Sequence, residues 1–238
     1  MKPTKTLSES TICCFGDSTT WGDNGCGAGG NDISWTSHLG ALLGGATIEN
    51  YGIKGSRIAV KADRTDSFVE RLDGIDHAAD VYVVFGGVND FSRNVPLGEL
   101  GSTDVHEFYG ALDYLIRAIT ARSPQAKLVF MTPCKTSGKH EKDIPASDEL
   151  NHLGLTQVAY VKAMLEVCDC YSVPVIDLYA QSGISPFFRS TASSTCRTVC
   201  ITALPAMSAW RIASLRASPP FAAKRLPLTG IIGLTFTL

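Results

Sequence analysis

The sequence lacks the features that mark several classes of protein. No apolar run approaches the ~18 residues that a membrane-spanning helix needs. The polar segment 1–10 also lacks the apolar stretch of a secretory signal. The formal net charge of the 238 residues is only -2, so no excess of positive charge favours nucleic acid as a partner. We therefore expect a cytoplasmic protein that binds neither membranes nor nucleic acid.

Cysteine is not scarce, but the cysteines lack the spacing of metal ligands or of a disulfide framework. Eight are present, with no C-x-x-C pair and no cysteine–histidine cluster of zinc-finger type. Cys13 and Cys14 lie in an apolar run, which predicts small buried side chains. The sequence therefore gives no basis for a metal site.

The last fifty residues lack several residue types altogether. From Arg189 to Leu238 there is no Asp, Glu, Asn, Gln, His or Tyr, although six Arg or Lys occur. Residues 1–188 carry 15 basic and 23 acidic groups, a net charge of -8, whereas residues 189–238 carry +6. The basic side chains of this tail show little helical or strand period. We therefore divide the chain into one domain at 1–188 and an anomalous basic tail at 189–238, which is not a separate domain.

Residues 1–188 alternate apolar strand-like runs with segments of helical length. Strands are predicted at 11–15, 47–53, 81–85, 127–132 and 173–179, and helices at 35–43, 68–75, 105–122 and 147–170. A break near Gly154 would divide the last of these helical regions. The strands are apolar throughout, which indicates a sheet with both faces covered. The expected fold is α/β, a three-layer α/β/α sandwich of flavodoxin-like type around a mainly parallel five-stranded sheet.

Candidate functional residues follow the first three predicted strands. In such sheets, ligands bind outside the carboxyl ends of the strands. Ser18 follows the first strand, where a serine at a strand-to-helix turn can act as a nucleophile beside free backbone N–H groups. Gly55 follows the second strand and lets a further N–H approach a substrate, and Asn89 follows the third and adds a neutral side-chain donor. Together these groups would form an oxyanion hole from three loops.

The three segments resemble blocks of the SGNH hydrolases, also called the GDSL esterase/lipase family. They read Gly-Asp-Ser at 16–18, Asn-Tyr-Gly-Ile-Lys-Gly at 50–55 and Gly-Val-Asn-Asp at 87–90. Three blocks in order, each directly after a predicted strand, are far more specific than Gly-Asp-Ser alone. The resemblance covers about residues 11–188.

The resemblance implies an SGNH hydrolase fold and a serine ester hydrolase that needs no cofactor or metal. In the family's pattern Ser18 is the nucleophile, and the N–H groups of Ser18 and Gly55 with the Asn89 side chain hold the oxyanion. The implied substrate is a small-molecule ester, such as an acetylated sugar or a short acyl ester. Asp17 and Asp90 are predicted to cap helices rather than to take part in catalysis.

The family's last block is missing from this sequence. In SGNH hydrolases an Asp-x-x-His block after the fifth strand supplies the general base and the acid that orients it. Here that region has neither residue type, and all five histidines precede the fifth predicted strand. His140 and His152 are the candidates to replace the base, and the other three are predicted to lie on the surface. Because a serine without a base is a poor nucleophile, we expect impaired activity in this chain.

Two alternatives to an esterase stay open. One is a catalytically inactive member of the family that binds a carbohydrate or acyl ligand, which the missing block favours. The other is a flavodoxin-like binding or signalling domain in which the three blocks occur by chance.

A shift of reading frame near Phe188 is a hypothesis that accounts for the missing block. When the codons for residues 196–201 are read from their third bases, permitted wobble choices give Pro-Asp-Gly-Leu-His. This string contains an Asp-x-x-His block, and the composition of the chain changes at the same place. Coding DNA whose shifted frame gave stop codons or other residues here would refute the hypothesis.

Overall fold

A computed structural model describes residues 5–23, 29–139 and 142–186 of the chain. Its strands form one sheet in the order β2-β1-β3-β4-β5, and every pair of neighbours is parallel. The strands are β1 Thr11–Gly16, β2 Thr47–Gly52, β3 Val81–Phe85, β4 Lys127–Met131 and β5 Val175–Ile176. The predicted α/β fold with a five-stranded parallel sheet is therefore confirmed. The tail at 189–238 lies outside the described residues.

Helices connect the strands and cover both faces of the sheet. They are α1 Ser18–Trp21, α2 Thr36–Leu42, α3 Phe68–Arg71, α4 Val88–Ser92, α5 Phe108–Arg122, α6 Gln157–Cys170 and α7 Leu178–Gln181. The helical region predicted from 147 is wrong only in its first part, because α6 begins after Thr156, close to the break considered at Gly154. The Asn151 carboxamide accepts hydrogen bonds from the N–H groups of Leu153 and Leu155, each at 3.0 Å, and so holds the preceding segment in turns.

Alternate residues of each strand enter two separate hydrophobic cores. In β1, Cys13 and Phe15 pack with residues of α3, α5 and α6, whereas Ile12 and Cys14 pack on the other face with Leu39 of α2. These β1 side chains are all fully buried, which confirms the prediction for the two cysteines. Because both faces of β1, β3 and β4 are covered, polar groups that follow these strands become accessible at the strand ends.

The last strand is shorter than its apolar run predicts. The run covers 173–179, but β5 contains only Val175–Ile176. Asp177 ends it, because the Asp177 Oδ1 atom accepts a hydrogen bond from the Ala180 N–H at 3.2 Å and so caps α7. Within the described ranges, none of the helices has the length and apolar character required to cross a membrane.

Candidate active site

Ser18 lies at the carboxyl end of β1, where the strand passes into α1. Asp17 is the N-cap of this helix, and its Oδ1 atom accepts a hydrogen bond from the Thr19 N–H at 2.8 Å. Ser18 is the first helical residue, so its own N–H has no partner within the helix. Ser18 thus carries a hydroxyl and an available N–H at the same point of the sheet edge.

Asp17 stabilises the start of α1, the helix that begins at Ser18. Its side chain is only 2% exposed, and burial raises its pKa to about 6 despite the opposing hydrogen bonds from Thr19. The prediction that Asp17 caps a helix is confirmed. This bond fixes the backbone on both sides of Ser18.

Gly55 lies in a tight turn shortly after β2. The Ser56 N–H donates to the Ile53 carbonyl at 3.2 Å, and Gly55 has a φ of +77°. This is the third position of a type II β-turn, where glycine avoids the strain of a left-handed backbone. Within the described residues, the Gly55 N–H donates no hydrogen bond. It is therefore available to an atom of a ligand.

Asn89 lies in the first turn of α4, just after the carboxyl end of β3. Its Nδ2 atom donates to the Ser56 carbonyl at 2.9 Å, which ties Asn89 to the neighbour of Gly55. A carboxamide nitrogen carries two hydrogens, so this bond leaves one for a ligand. Gly87 makes the turn from strand to helix with a φ of +107°.

Asp90 does not cap α4, and this prediction is wrong. The N-cap of α4 is Gly87, whereas the fully buried Asp90 carboxylate accepts hydrogen bonds from the Ile58 and Ala59 N–H groups, each at 3.0 Å. Burial raises the pKa of Asp90 to about 6, and those two hydrogen bonds oppose the rise. Asp90 therefore fastens the segment after the Gly55 turn to the helix that carries Asn89.

A cavity of about 380 Å³ opens beside these groups. Ser18 and Asn89 both line it. Gly55 is not among its described walls, but Ser56 connects Gly55 to Asn89. The structure therefore brings two of the three predicted site residues to one cavity and holds the third beside them.

A further wall of the cavity comes from the segment after β4, in which His140 is the one residue predicted to approach the site. It consists of residues 133–139 with Lys142 and Ile144. Lys135 donates to the Tyr179 carbonyl at 2.5 Å, and Arg93 donates to the Lys142 carbonyl at 3.4 Å. These cations bond to neutral carbonyl groups, so the wall keeps a polar and basic character.

The described histidines lie away from this cavity. His38, His77, His106 and His152 are all exposed, which confirms the surface prediction for the first three. His152 pairs with Asp143 at 3.2 Å in a neighbouring pocket and is not part of the cavity wall that contains Ser18. His140 lies outside the described residues. The described wall therefore contains no histidine that could take a proton from Ser18.

Comparisons with known proteins agree with this arrangement. The sequence model of the GDSL-like lipase/acylhydrolase family matches residues 14–194. A search of curated proteins gave no match.

Solved structures show the same fold. One crystal structure has a chain 78% identical to this one, with a TM-score of 0.81, and the alignment covers 90% of this chain and 100% of that one. A Lactobacillus plantarum protein is 26% identical over 89% of this chain and 99% of its own, with a TM-score of 0.71. A lipase/acylhydrolase from Enterococcus faecalis shares the fold at 22% identity, with a TM-score of 0.61 and coverage of 90% and 100%.

Proposed function

The chain belongs to the family of GDSL-like lipases and acylhydrolases, and from this premise we propose that it hydrolyses small carboxylic esters at Ser18. The observation that carries the proposal is the shared cavity. Ser18 and Asn89 come from different strand ends and line the same space of about 380 Å³. The family match also removes the flavodoxin-like binding domain as an alternative, because the three blocks do not occur by chance.

In the proposed reaction the Ser18 hydroxyl oxygen adds to the acyl carbon of the ester and its proton passes to water. The carbonyl oxygen becomes an oxyanion, which accepts hydrogen bonds from the Ser18 and Gly55 N–H groups and from Asn89. The oxyanion then collapses, the bond to the alcohol breaks, and the leaving alkoxide takes a proton from water. A second water molecule adds to the acyl–Ser18 ester, the acid leaves, and the Ser18 oxygen regains its proton. Donors aimed at the oxyanion act in the transition state more than in the bound substrate, so they accelerate the reaction.

We further propose that this chain is an impaired enzyme because its base is missing. Serine hydrolases that lose a member of the triad retain ~10³–10⁴-fold catalysis over water through the oxyanion hole and substrate binding. The family match ends at residue 194, close to the change of composition at 189. This supports the proposed shift of reading frame near Phe188, which sequencing the coding DNA across residues 185–210 tests directly.

The wall of the cavity favours small or polar esters over long acyl chains. Its volume is near the lower end of the ~300–1,000 Å³ usual for small-molecule sites. Lys135, Lys142 and Arg93 contribute cationic side chains, and a long alkyl chain would displace water from these charged groups at a cost in free energy. An acetylated sugar or a short acyl ester suits this environment.

Covalent labelling with a fluorophosphonate and hydrolysis of p-nitrophenyl acetate test the role of Ser18. We expect Ser18→Ala to abolish both the label and the turnover. Ser137→Ala is the matched control, because Ser137 is an exposed serine on the wall of the same cavity. Turnover that survives Ser18→Ala unchanged would show that Ser18 is not the nucleophile.

A second candidate function rests on the missing base. An inactive family member would bind a carbohydrate or acyl ligand in the cavity without cleaving it. Titration calorimetry with acetylated monosaccharides distinguishes the two. Binding that is equal in the unmodified chain and in Ser18→Ala, with no acid released, would select the binding protein.

A further inference from the structure

Arg71, the last residue of α3, bonds to backbone and side-chain atoms in both loops that flank the candidate site. Its Nη2 atom donates to the Gly16 carbonyl at 2.5 Å and its Nη1 atom to the Tyr51 carbonyl at 2.7 Å. Its Nε atom donates to the Ser56 hydroxyl at 3.2 Å. One guanidinium group therefore joins the ends of β1 and β2 to the turn after β2.

Two aromatic rings hold the guanidinium group in place. Its central carbon lies 4.4 Å from the centre of the Phe15 ring and 4.7 Å from that of Phe68. Both rings are fully buried. Burial lowers the pKa of Arg71 to about 10, so the group remains charged at neutral pH. A planar fork of donors that rests against two adjoining rings has little freedom to rotate.

The atoms that accept from Arg71 are adjacent to the proposed oxyanion donors. Gly16 precedes the capping residue of α1 and lies two residues before Ser18. Tyr51 is the penultimate residue of β2, and Ser56 directly follows Gly55. The Gly16 carbonyl also accepts from the Ile53 N–H at 3.1 Å, so the first residue of the Gly55 turn is bonded to the same atom as Arg71.

We propose that Arg71 is a positioning residue, which sets the spacing between the Ser18 N–H and the Gly55 N–H in the oxyanion hole. The inference rests on the proposed function. Each of the three nitrogens of Arg71 donates to a protein acceptor, so we place its action on these acceptors and not on the substrate. Arg71 holds the three acceptors in place. This matters most in the transition state, when the Ser18 and Gly55 N–H groups both donate to the same oxyanion. A lysine has a single ammonium group and cannot reproduce the fork.

A purely structural clamp would have a different signature. Loss of a structural clamp lowers the unfolding free energy and leaves the kinetics of the folded molecules unchanged. Loss of a positioning residue lowers kcat and leaves KM nearly unchanged, because the donors act on the transition state. Loss of a positioning residue also loosens the Gly55 turn locally. The hydrogen bond from the Ser56 N–H to the Ile53 carbonyl, which closes this turn, would then open more often.

The test compares the full chain with Arg71→Lys and with Ile119→Val. Ile119 is buried in the last turn of α5, which leads to the amino end of β4, whereas the candidate site lies at the carboxyl ends of the strands. Urea unfolding first establishes that all three are folded. We expect Arg71→Lys to lower kcat for p-nitrophenyl acetate by a factor on the order of 10–100, with KM within about twofold, since small misplacements cost this much. Ile119→Val should keep the kcat of the unmodified chain.

Amide hydrogen exchange supplies a readout that does not depend on turnover. We expect the Ser56 amide to exchange faster in Arg71→Lys, while the Ile58 and Ala59 amides, held by Asp90, keep their rates. An unchanged kcat or an unchanged Ser56 exchange rate in Arg71→Lys would overturn the inference, as would an equal loss of kcat in Ile119→Val. If Ser18→Ala turns over as fast as the unmodified chain, the proposed function fails and the positioning role fails with it. If Ser18→Ala is inactive and Arg71→Lys is not impaired, only the role of Arg71 is refuted.

Discussion

Replacing Asp90 by asparagine should change how the stability of the protein depends on pH. The Asp90 carboxylate is fully buried, and burial raises its pKa from 3.8 to about 6, although it accepts two backbone hydrogen bonds. Below about pH 4 the side chain is protonated in both the folded and the unfolded chain. As the pH rises from about 4 to about 6, the unfolded chain loses its proton before the folded chain does, so the unfolding free energy falls. The loss is complete somewhat above pH 6.

The size of this effect follows from the pKa difference. A rise from 3.8 to about 6 corresponds to ~3 kcal/mol of unfolding free energy once the whole difference is titrated. Asp90→Asn removes this titration and leaves that of Asp17, whose pKa burial also raises to about 6. We therefore compare the unfolding free energies of the two proteins. The value for the unmodified protein, less that for Asp90→Asn, should fall by up to ~3 kcal/mol between about pH 4 and pH 7. Asparagine keeps one acceptor oxygen, so one of the two backbone hydrogen bonds is lost, and this loss adds an offset that does not vary with pH.

Urea unfolding followed by tryptophan fluorescence measures the difference, since Trp35 is buried. Asp63→Asn is a control of opposite sign, because the hydrogen bond from Arg57 lowers the pKa of Asp63. The stability due to Asp63 should grow with pH, and only slightly, because this side chain is exposed. A difference for Asp90→Asn that is constant with pH, or that grows with pH, would refute the reasoning.

Three further predictions concern the site. Gly55→Ala keeps the N–H, but it strains a backbone at φ +77° and places a Cβ 2.8 Å from the Arg64 Nη1 atom, so the donor should shift and kcat should fall by up to ~10²–10³. Gly154→Ala, at a similar φ of +73° with nothing near a new Cβ, should cost only ~1 kcal/mol of stability and keep kcat. Equal kcat in the two variants would contradict the donor role. Asn89→Ala should lower kcat similarly with little change in KM, and a change confined to KM would count against it. Hydrolysis of p-nitrophenyl acetate should exceed that of the palmitate ester, and the reverse order would contradict the small-ester assignment.

The strands could be predicted closely where both faces of the sheet are buried. The apolar run 81–85 coincides with β3 residue for residue, because every side chain in it is buried and the polar residues begin where the strand ends. β5 departs from its run because the cap formed by Asp177 competes locally with strand pairing. The region from 147 also departs, because the contacts of the Asn151 carboxamide depend on tertiary position rather than on helical period.

The candidate site was predictable only in part, for a related reason. Ser18 and Asn89 follow strands directly, and their residue types indicate their chemistry. Arg71 and Asp90 act on backbone atoms of residues that lie between 20 and 55 positions away in the chain. A backbone carbonyl or N–H is present in nearly every residue, so no pattern of side chains marks such a partner. The basic side chains after β4 were not predicted to line the cavity, because they reach it only when β4 lies next to β3 in the sheet.

The strand order has a consequence for how such a protein can change. β1 leads to Ser18, and its two neighbours β2 and β3 lead to Gly55 and Asn89. Adjacent strands are held ~4.8 Å apart by their ladder of hydrogen bonds. The backbone ladder thus fixes the separation of the three strand ends, and a side chain such as Arg71 adjusts only the loops beyond them. The segment after β4 follows none of these three strands. Its length and composition can therefore vary, and change substrate preference, without changing the distances between Ser18, Gly55 and Asn89.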